Sequence, residues 1–322
     1  MSANRIREIE VRLAAMEAER AVLSEELGRL TAVETFVSPQ ELPKSAVEKA
    51  DLFLKLFRAR ESVYPRLWEN PRTGRKGYAP ACRNEWVRGL CEKPKVKCSE
   101  CRHQSFPPLD REAALDHLRG QQTIGTYAIR EDNTCIFLAA DFDGDGWQGD
   151  VLAYKRTAAT MGVPVLVERS RSGQGAHAWI FFSEAVPAVL ARRLGTLIVS
   201  KAASCRPSMS LSTYDRFFPN QDLLPQGGFG NLIALPLQRK PREKGHTLFL
   251  DDDLAPFPDP WRCLAGVRSV SRGELEAMVP SVSPDLGPSS PDREEQFSLS
   301  CDEKALDLIP GAVQPGLMTG EI

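Results

Sequence analysis

The sequence predicts a mixed protein of the α+β class, and three observations carry that expectation. From residue 123 onward, short apolar runs bounded by turn residues alternate with stretches of helical periodicity. The N-terminal segment carries a heptad repeat instead, and an irregular, cysteine-rich stretch separates the two. At 322 residues the chain is long enough to bury a sizeable core and hold two compact modules with appendages.

The heptad comes first. Ile6, Ile9, Leu13, Met16, Arg20, Leu23, Leu27 and Leu30 follow in steps of three and four, and only Arg20 interrupts an otherwise apolar seam. In a parallel pair, Arg5 would face Glu10 of the second copy and Arg12 would face Glu17, both contacts of opposite sign. A coiled-coil homodimer through residues 5–31 is therefore expected, the alternative being a helix docked on its own domain. Residues 31–43 read as a linker and 45–60 as a helix, while 64–80 lack clean periodicity. Asp110 is placed to cap a short helix that Gly120 ends. Strands are expected over 123–129, 134–142, 163–168, 176–182, 229–237 and 246–250. Helices are expected over 150–161, 186–203 and 271–278, the first of them closed by Gly162. Residues 280–291 are rich in Pro and Ser and read as flexible. Residues 306–322 complete no element, as expected where a longer polypeptide has been cut.

The formal net charge of −2 hides local contrast. Residues 54–103 are rich in Lys and Arg, whereas 141–150 are acidic. A basic block beside an acidic site suits a polyanion partner, although a solvated basic face has the same composition. Residues 1–20 are densely charged and lack the apolar centre of a signal peptide. No apolar run approaches the roughly 18 residues that span a bilayer. The expected location is the cytoplasm, with no membrane partner. There, eight cysteines point to metal or free thiols rather than disulfides.

Four of those cysteines, Cys82, Cys91, Cys98 and Cys101, have the spacing C-x8-C-x6-C-x2-C. The Cys98–Cys101 pair is the tight half of a zinc knuckle, and His103 is a substitute ligand within reach. A structural Zn²⁺ is expected, since four thiolates leave no open position for catalysis. Cys135, Cys205, Cys263 and Cys301 are scattered, as buried or incidental cysteines are.

Asp141 and Asp143 close an apolar run. Residues i and i+2 of a strand share a face, so the two carboxylates project together, roughly 6–7 Å apart, suitably placed for hard divalent ions. An acidic surface turn has the same sequence. Ser172-Gly173-Gln174-Gly175-Ala176-His177 has the glycines that let backbone N–H groups approach an anion, and a histidine that could bind phosphate with Arg169, Arg171 or Ser172. A glycine hairpin with an incidental histidine is the alternative. Asp215, in Tyr214-Asp215-Arg216, either completes a three-carboxylate cluster or pairs with Arg216 in a turn.

These three motifs, in this order, resemble the archaeo-eukaryotic primase superfamily. They are most similar to the primase-polymerase domain of TOTE conflict systems and of CRISPR-associated primase-polymerases. Tyr78-Ala79-Pro80-Ala81-Cys82, Glu85-Trp86-Val87, His117-Leu118-Arg119-Gly120 and Gly230-Asn231-Leu232-Ile233-Ala234-Leu235-Pro236 share the likeness, which spans about residues 45–265. The resemblance implies an α/β module plus an RRM-like module with the active site between them. It further implies Asp141, Asp143 and Asp215 as ligands of Mg²⁺ or Mn²⁺, and Arg171, Ser172, Gly173, Gly175 and His177 around the triphosphate of the incoming nucleotide. With the heptad and the cysteine spacing, which lead to their own assignments, residues 1–35 are expected as the coiled-coil helix, and 36–109 as the linker, helix and four-cysteine zinc module. Residues 110–268 are the catalytic core, and 269–322 a C-terminal helix and flexible tail. Implied partners are nucleoside triphosphates, a single-stranded DNA or RNA template, and a helicase or nuclease, fused or separate. The implied setting is DNA replication or antiviral defence. A two-metal nuclease and a catalytically silent nucleic-acid-binding adaptor, dimerised by the coiled coil, stand as alternatives to template-directed nucleotidyl transfer.

Overall fold

The computed structural model describes residues 42–204 and 213–279, with scattered helical positions between 5 and 23. They all fall in one compact unit, 1–280; the second unit, 281–322, lies outside the described residues together with the expected flexible tail. Of the heptad, Leu13, Met16, Arg20 and Leu23 are helical and exposed, while Ile6, Ile9, Leu27 and Leu30 lie outside the described residues.

The first helix, α1 (Ala46–Phe57), starts at a capping box in which the Glu48 N–H donates to Ser45 Oγ (3.1 Å) and the Ser45 N–H donates to Glu48 Oε2 (2.9 Å). A hairpin follows, β1 (Pro65–Glu69) against β2 (Lys76–Pro80), then the irregular cysteine segment. Helix α2 (Arg111–Arg119) has the two expected ends. Asp110 accepts from the Ala113 N–H at 3.0 Å, and Gly120 takes the left-handed conformation at φ 84°.

The centre of the molecule is a five-stranded sheet of β4 (Thr134–Asp143), β5 (Leu166–Arg169), β6 (Gly175–Pro187), β7 (Tyr214–Phe218) and β9 (Phe249–Leu250). Its order is β7-β4-β6-β5-β9, and every ladder is antiparallel. The alternation of strands and helices along the chain therefore does not build parallel crossovers; β5 and β6 form a hairpin, and β6 returns between β4 and β5. A separate two-stranded ribbon pairs β3 (Gly125–Tyr127) with β8 (Leu232–Ala234).

Alternation along the strands divides the sheet into two faces. Phe137, Ala139, Trp179 and Phe181 pack on the front against Phe53 and Phe57 of α1, with the Phe57 ring edge-on to Trp179 at 5.1 Å and to Phe181 at 5.3 Å. Leu138, Ala140, Phe142, Ala178 and Ile180 pack on the back against α3 (Trp147–Thr160) and α4 (Ala188–Ser204), where α7 (Arg272–Met278) adds Leu275. Two short helices, α5 (Arg239–Arg242) and α6 (Pro260–Ala265), carry too few residues for a period to show in the sequence.

His117 of α2 is fully buried and ties three elements together. Its Nε2–H donates to the Pro236 carbonyl (2.9 Å), and its Nδ1 accepts the Ile124 N–H (3.1 Å). Burial holds it uncharged, with its pKa lowered to about 4.

Candidate active site

The front face is apolar where α1 covers it and becomes charged at one end of the sheet. Asp141 and Asp143 lie at the end of β4, on the same face as Phe137 and Ala139. Across the β4–β6 ladder, Asp141 stands opposite His177 and Asp143 opposite Gly175. Across the β5–β6 ladder, Glu168 also stands opposite His177. One histidine is thus flanked by a carboxylate on each neighbouring strand.

Glu168 Oε2 accepts from His177 Nδ1 (2.9 Å) and from the Trp179 indole N–H (3.0 Å). Its carboxylate is only 1% exposed, so these two donors replace the water it has lost. On the other side of the ring, His177 Nε2 is 3.6 Å from Asp141 Oδ1. Burial works against a charged imidazole here. Glu168, by charge and hydrogen bond, then Asp141 and Asp143, outweigh it and hold His177 above its ordinary pKa.

Asp141 is buried, and its Oδ1 has no hydrogen-bond partner. Burial pushes its pKa up to about 6; His177 opposes that rise, while Asp143 and Asp215 add to it. A buried carboxylate oxygen with nothing bound to it is the type of group that a cation satisfies.

The expected anion-binding segment is the β5–β6 hairpin. The Ser170 N–H donates to the Gly175 carbonyl (2.8 Å), the Gly173 N–H to Ser170 O (3.0 Å), and Gly173 takes φ 81°. Ser172 Oγ lies 3.0 Å from Ser170 Oγ and accepts the Gln174 N–H at 3.1 Å. Gly175 is needed for contact, since a Cβ there would run into the Asp143 carboxylate and the Phe142 carbonyl. A Cβ on Gly173 would strike the His246 ring, whose Nδ1 lies 3.1 Å from the Arg171 carbonyl. Arg171 also reaches the Tyr78 hydroxyl, at 3.3 Å.

Asp215 arrives by a bulge. Tyr214 pairs with Phe142 and Phe217 with Ala140, so Asp215 and Arg216 together oppose Asp141. The extra residue keeps Tyr214 and Phe217 on the back face and frees Asp215 toward the front. There it is 44% exposed and held by Arg216 Nε at 2.6 Å, the pairing that the sequence offered as its alternative. The start of β7 is anchored by buried Asp150, whose Oδ2 accepts from the Thr213 hydroxyl (2.7 Å) and N–H (3.2 Å).

The sheet thus brings Asp141, Asp143, Asp215, His177 and the glycine hairpin to one of its ends. Among the described residues, however, no three His, Cys, Asp or Glu side chains stand close enough to share an ion. That includes the cysteine module. There, Cys82, Cys91, Cys98, Cys101 and His103 line one small cavity, and Cys82 Sγ and Cys101 Sγ accept the Ser105 and His103 N–H groups at 3.5 and 3.4 Å. None of the four is in a disulfide.

Sequence reasoning missed two residues of the site. Glu168 carried a signal, being a lone acid at the end of an apolar strand and on the same face as Leu166. His246 carried none, because only the fold brings it onto Gly173.

The fold and site define an antiparallel α+β protein with an acidic pair, a flanked histidine and a glycine hairpin on one sheet face. The family model described as "TOTE conflict system, Archaeo-Eukaryotic Primase domain" matches residues 48–278, and the chain belongs to that family. Membership places it among the primase-polymerases, which are nucleotidyltransferases. Among solved structures it is similar to the polymerase domain from Mycobacterium tuberculosis Ligase D in complex with DNA. That likeness has 15% identity and a TM-score of 0.39, over 71% of this chain and 84% of that one. No curated protein matches it. Among the described residues no helix is long and apolar enough to cross a membrane.

Proposed function

We propose that the chain is a template-directed nucleotidyltransferase that joins a 3′-hydroxyl to the α-phosphate of an incoming nucleoside triphosphate. The observation that carries the reading is the cross-strand pair of Asp141 and His177 beside the glycine hairpin. The unsatisfied, buried Oδ1 of Asp141 fits a divalent cation, which Asp141, Asp143 and Asp215 would hold. Mg²⁺ or Mn²⁺, when bound, supplies positive charge for the attacking and leaving oxygens.

The chain's own residues do the rest. His177, fixed through Nδ1 by Glu168 and held above its ordinary pKa, would offer the phosphates Nε2, which lies beside Asp141 Oδ1. Gly173 and Gly175 carry no side chain to hold the same anion away from the hairpin, where the Ser172 hydroxyl would donate to it and Arg171 would add charge. The 3′-oxygen forms a bond to the α-phosphorus as the bond from that phosphorus to the bridging oxygen breaks. Pyrophosphate leaves with the bonding pair, and the hydroxyl proton passes to solvent. No covalent enzyme intermediate is required, so positioning and charge account for catalysis.

The same proposal includes a structural Zn²⁺ on Cys82, Cys91, Cys98 and Cys101, whose shared cavity and N–H···S contacts suit thiolates. It includes the division into an α/β and an RRM-like module, and a homodimer through residues 5–31 in the cytoplasm. A helicase or nuclease would work beside it.

The test is incubation with single-stranded DNA or RNA, Mn²⁺ or Mg²⁺, and each nucleotide pool separately, with and without primer. Extension or primer-free synthesis supports the proposal. Shortening of the strand would make the protein a nuclease, and unchanged strands with retained binding would make it an adaptor.

A further inference from the structure

Trp86 stands out on the surface of the cysteine module. It is 68% exposed, although tryptophan is the costliest side chain to leave in water. Its backbone sits at φ 61°, a conformation that bulky residues rarely adopt. Two hydrogen bonds fix the turn that carries it, Val87 N–H to Asn84 O (3.1 Å) and Cys91 N–H to Val87 O (2.9 Å). The chain thus holds an indole outward in an unfavourable backbone state.

The surroundings select a partner. Lys93 Nζ lies 5.8 Å from the centroid of the Trp86 ring and is itself held by Glu85 (2.8 Å), which also binds Arg66 (2.6 Å). Between residues 83 and 102 there are six Lys or Arg against three Glu. Arg88, Lys95 and Arg102 are exposed and make no ion pair among the described residues. An outward aromatic ring with a lysine beside it, on a module that carries an excess of cations, fits a strand with flat bases and charged phosphates.

We propose that Trp86 is a stacking platform for a base of the single-stranded template, with Arg88, Lys95 and Arg102 contacting flanking phosphates. This rests on the reading of the chain as a template-using enzyme and adds the residue that grips the strand away from the carboxylates. The contact is blind to base identity, because every base has a π-face.

The test is equilibrium binding of the full chain to a fluorescent oligothymidylate and to an abasic oligonucleotide of equal length, without nucleotide or added divalent ion. The wild type should prefer the oligothymidylate. Trp86→Ala should weaken that complex roughly ten- to a hundredfold and leave the abasic complex nearly unchanged, while Trp86→Phe retains most of the preference. Trp86→Asn removes the ring but suits the left-handed backbone, so it should behave as Trp86→Ala while folding at least as well as the wild type. Equal loss on both oligonucleotides, or no loss on either, would overturn the proposal. The readout does not involve synthesis, so an inactive chain that still shows the base-dependent loss would sink the polymerase reading alone. An active chain without that loss would sink only the stacking platform.

Discussion

Asp141 and His177 face each other across the β4–β6 ladder, with Oδ1 and Nε2 3.6 Å apart and no hydrogen bond made by that oxygen. The fold holds a carboxylate out of water without giving it a full partner. Such an arrangement reduces stability and suits a group whose charge is needed for chemistry. Asp141→Asn and Asp143→Asn should each lower nucleotide incorporation at least a hundredfold, the scale on which fixed charges in such sites act. Asp141→Asn should also leave the thermal midpoint, measured without metal, unchanged or raised. A drop of several degrees would show that the carboxylate stabilises the fold instead.

Glu168 should act through His177. Removing its carboxylate strands two buried donors, and Glu168→Ala should lose about 3 kcal/mol of stability in urea titrations. Glu168→Gln keeps the shape and an acceptor, and should raise the KM for nucleotide about tenfold with a smaller change in kcat. The double variant Glu168→Gln, His177→Ala should be no worse than His177→Ala alone. Additive losses would separate the two residues.

Gly175→Ala should be the most damaging single methyl in the hairpin. Its Cβ meets the Phe142 carbonyl on the neighbouring strand, which cannot retreat without breaking the ladder, and the Asp143 carboxylate, which would have to swing out of the site. A loss of about 2 kcal/mol with abolished synthesis is expected. Gly144→Ala, at φ 94° with open space around it, should cost only about 1 kcal/mol of backbone strain. Comparable losses in chemical denaturation would contradict this account.

Acid should weaken the fold through His117. Its native pKa of about 4 lies below the ordinary 6.5, so the unfolded chain binds more protons between those values. Stability is therefore full above pH 6.5 and declines as pH falls toward 4, by about 3 kcal/mol in all. Protonating Nδ1 also takes the lone pair that accepts the Ile124 N–H. Urea midpoints recorded from pH 7.5 to 4.5 should fall less steeply for His117→Gln than for the wild type. Parallel profiles would place the acid sensitivity elsewhere.

The cysteine module should carry one zinc per chain by elemental analysis. Cys98→Ser should lower that content and raise protease sensitivity between residues 82 and 104, while the five-stranded sheet keeps its circular dichroism. Wild-type protein purified with no zinc, and equally resistant after chelation, would leave the segment held by its turns and the Glu85 pairs alone.

Much of the site was legible because strand alternation is local. The period of two puts Asp141 with Asp143, and His177 with Trp179, whatever the sheet becomes. The caps at Asp110 and Gly120 were equally local. Pairing was not. The β5–β6 hairpin could be seen as a glycine turn, but its insertion beside β4, which makes Asp141 and His177 neighbours, depends on the whole sheet. Asp215 reaches the front through a bulge that no single-strand pattern encodes. The β1–β2 hairpin was missed because its burial does not alternate, and Trp68 packing over Gly77 identifies it only in three dimensions.

Trp179 gives its indole N–H to Glu168 and meets the Phe57 ring edge-on. Through that one side chain, a helix encoded ahead of the cysteine module supports the pair of Glu168 and His177. Residues 110–268 moved alone into another polypeptide would carry the carboxylates but leave Trp179 and Phe181 open to water. The front face is complete only when α1 is included, and the family match, which begins at residue 48, takes that helix in. The cysteine module lies between two helices that already pack against each other, α1 and α2, so its ends are held together by a contact outside the module.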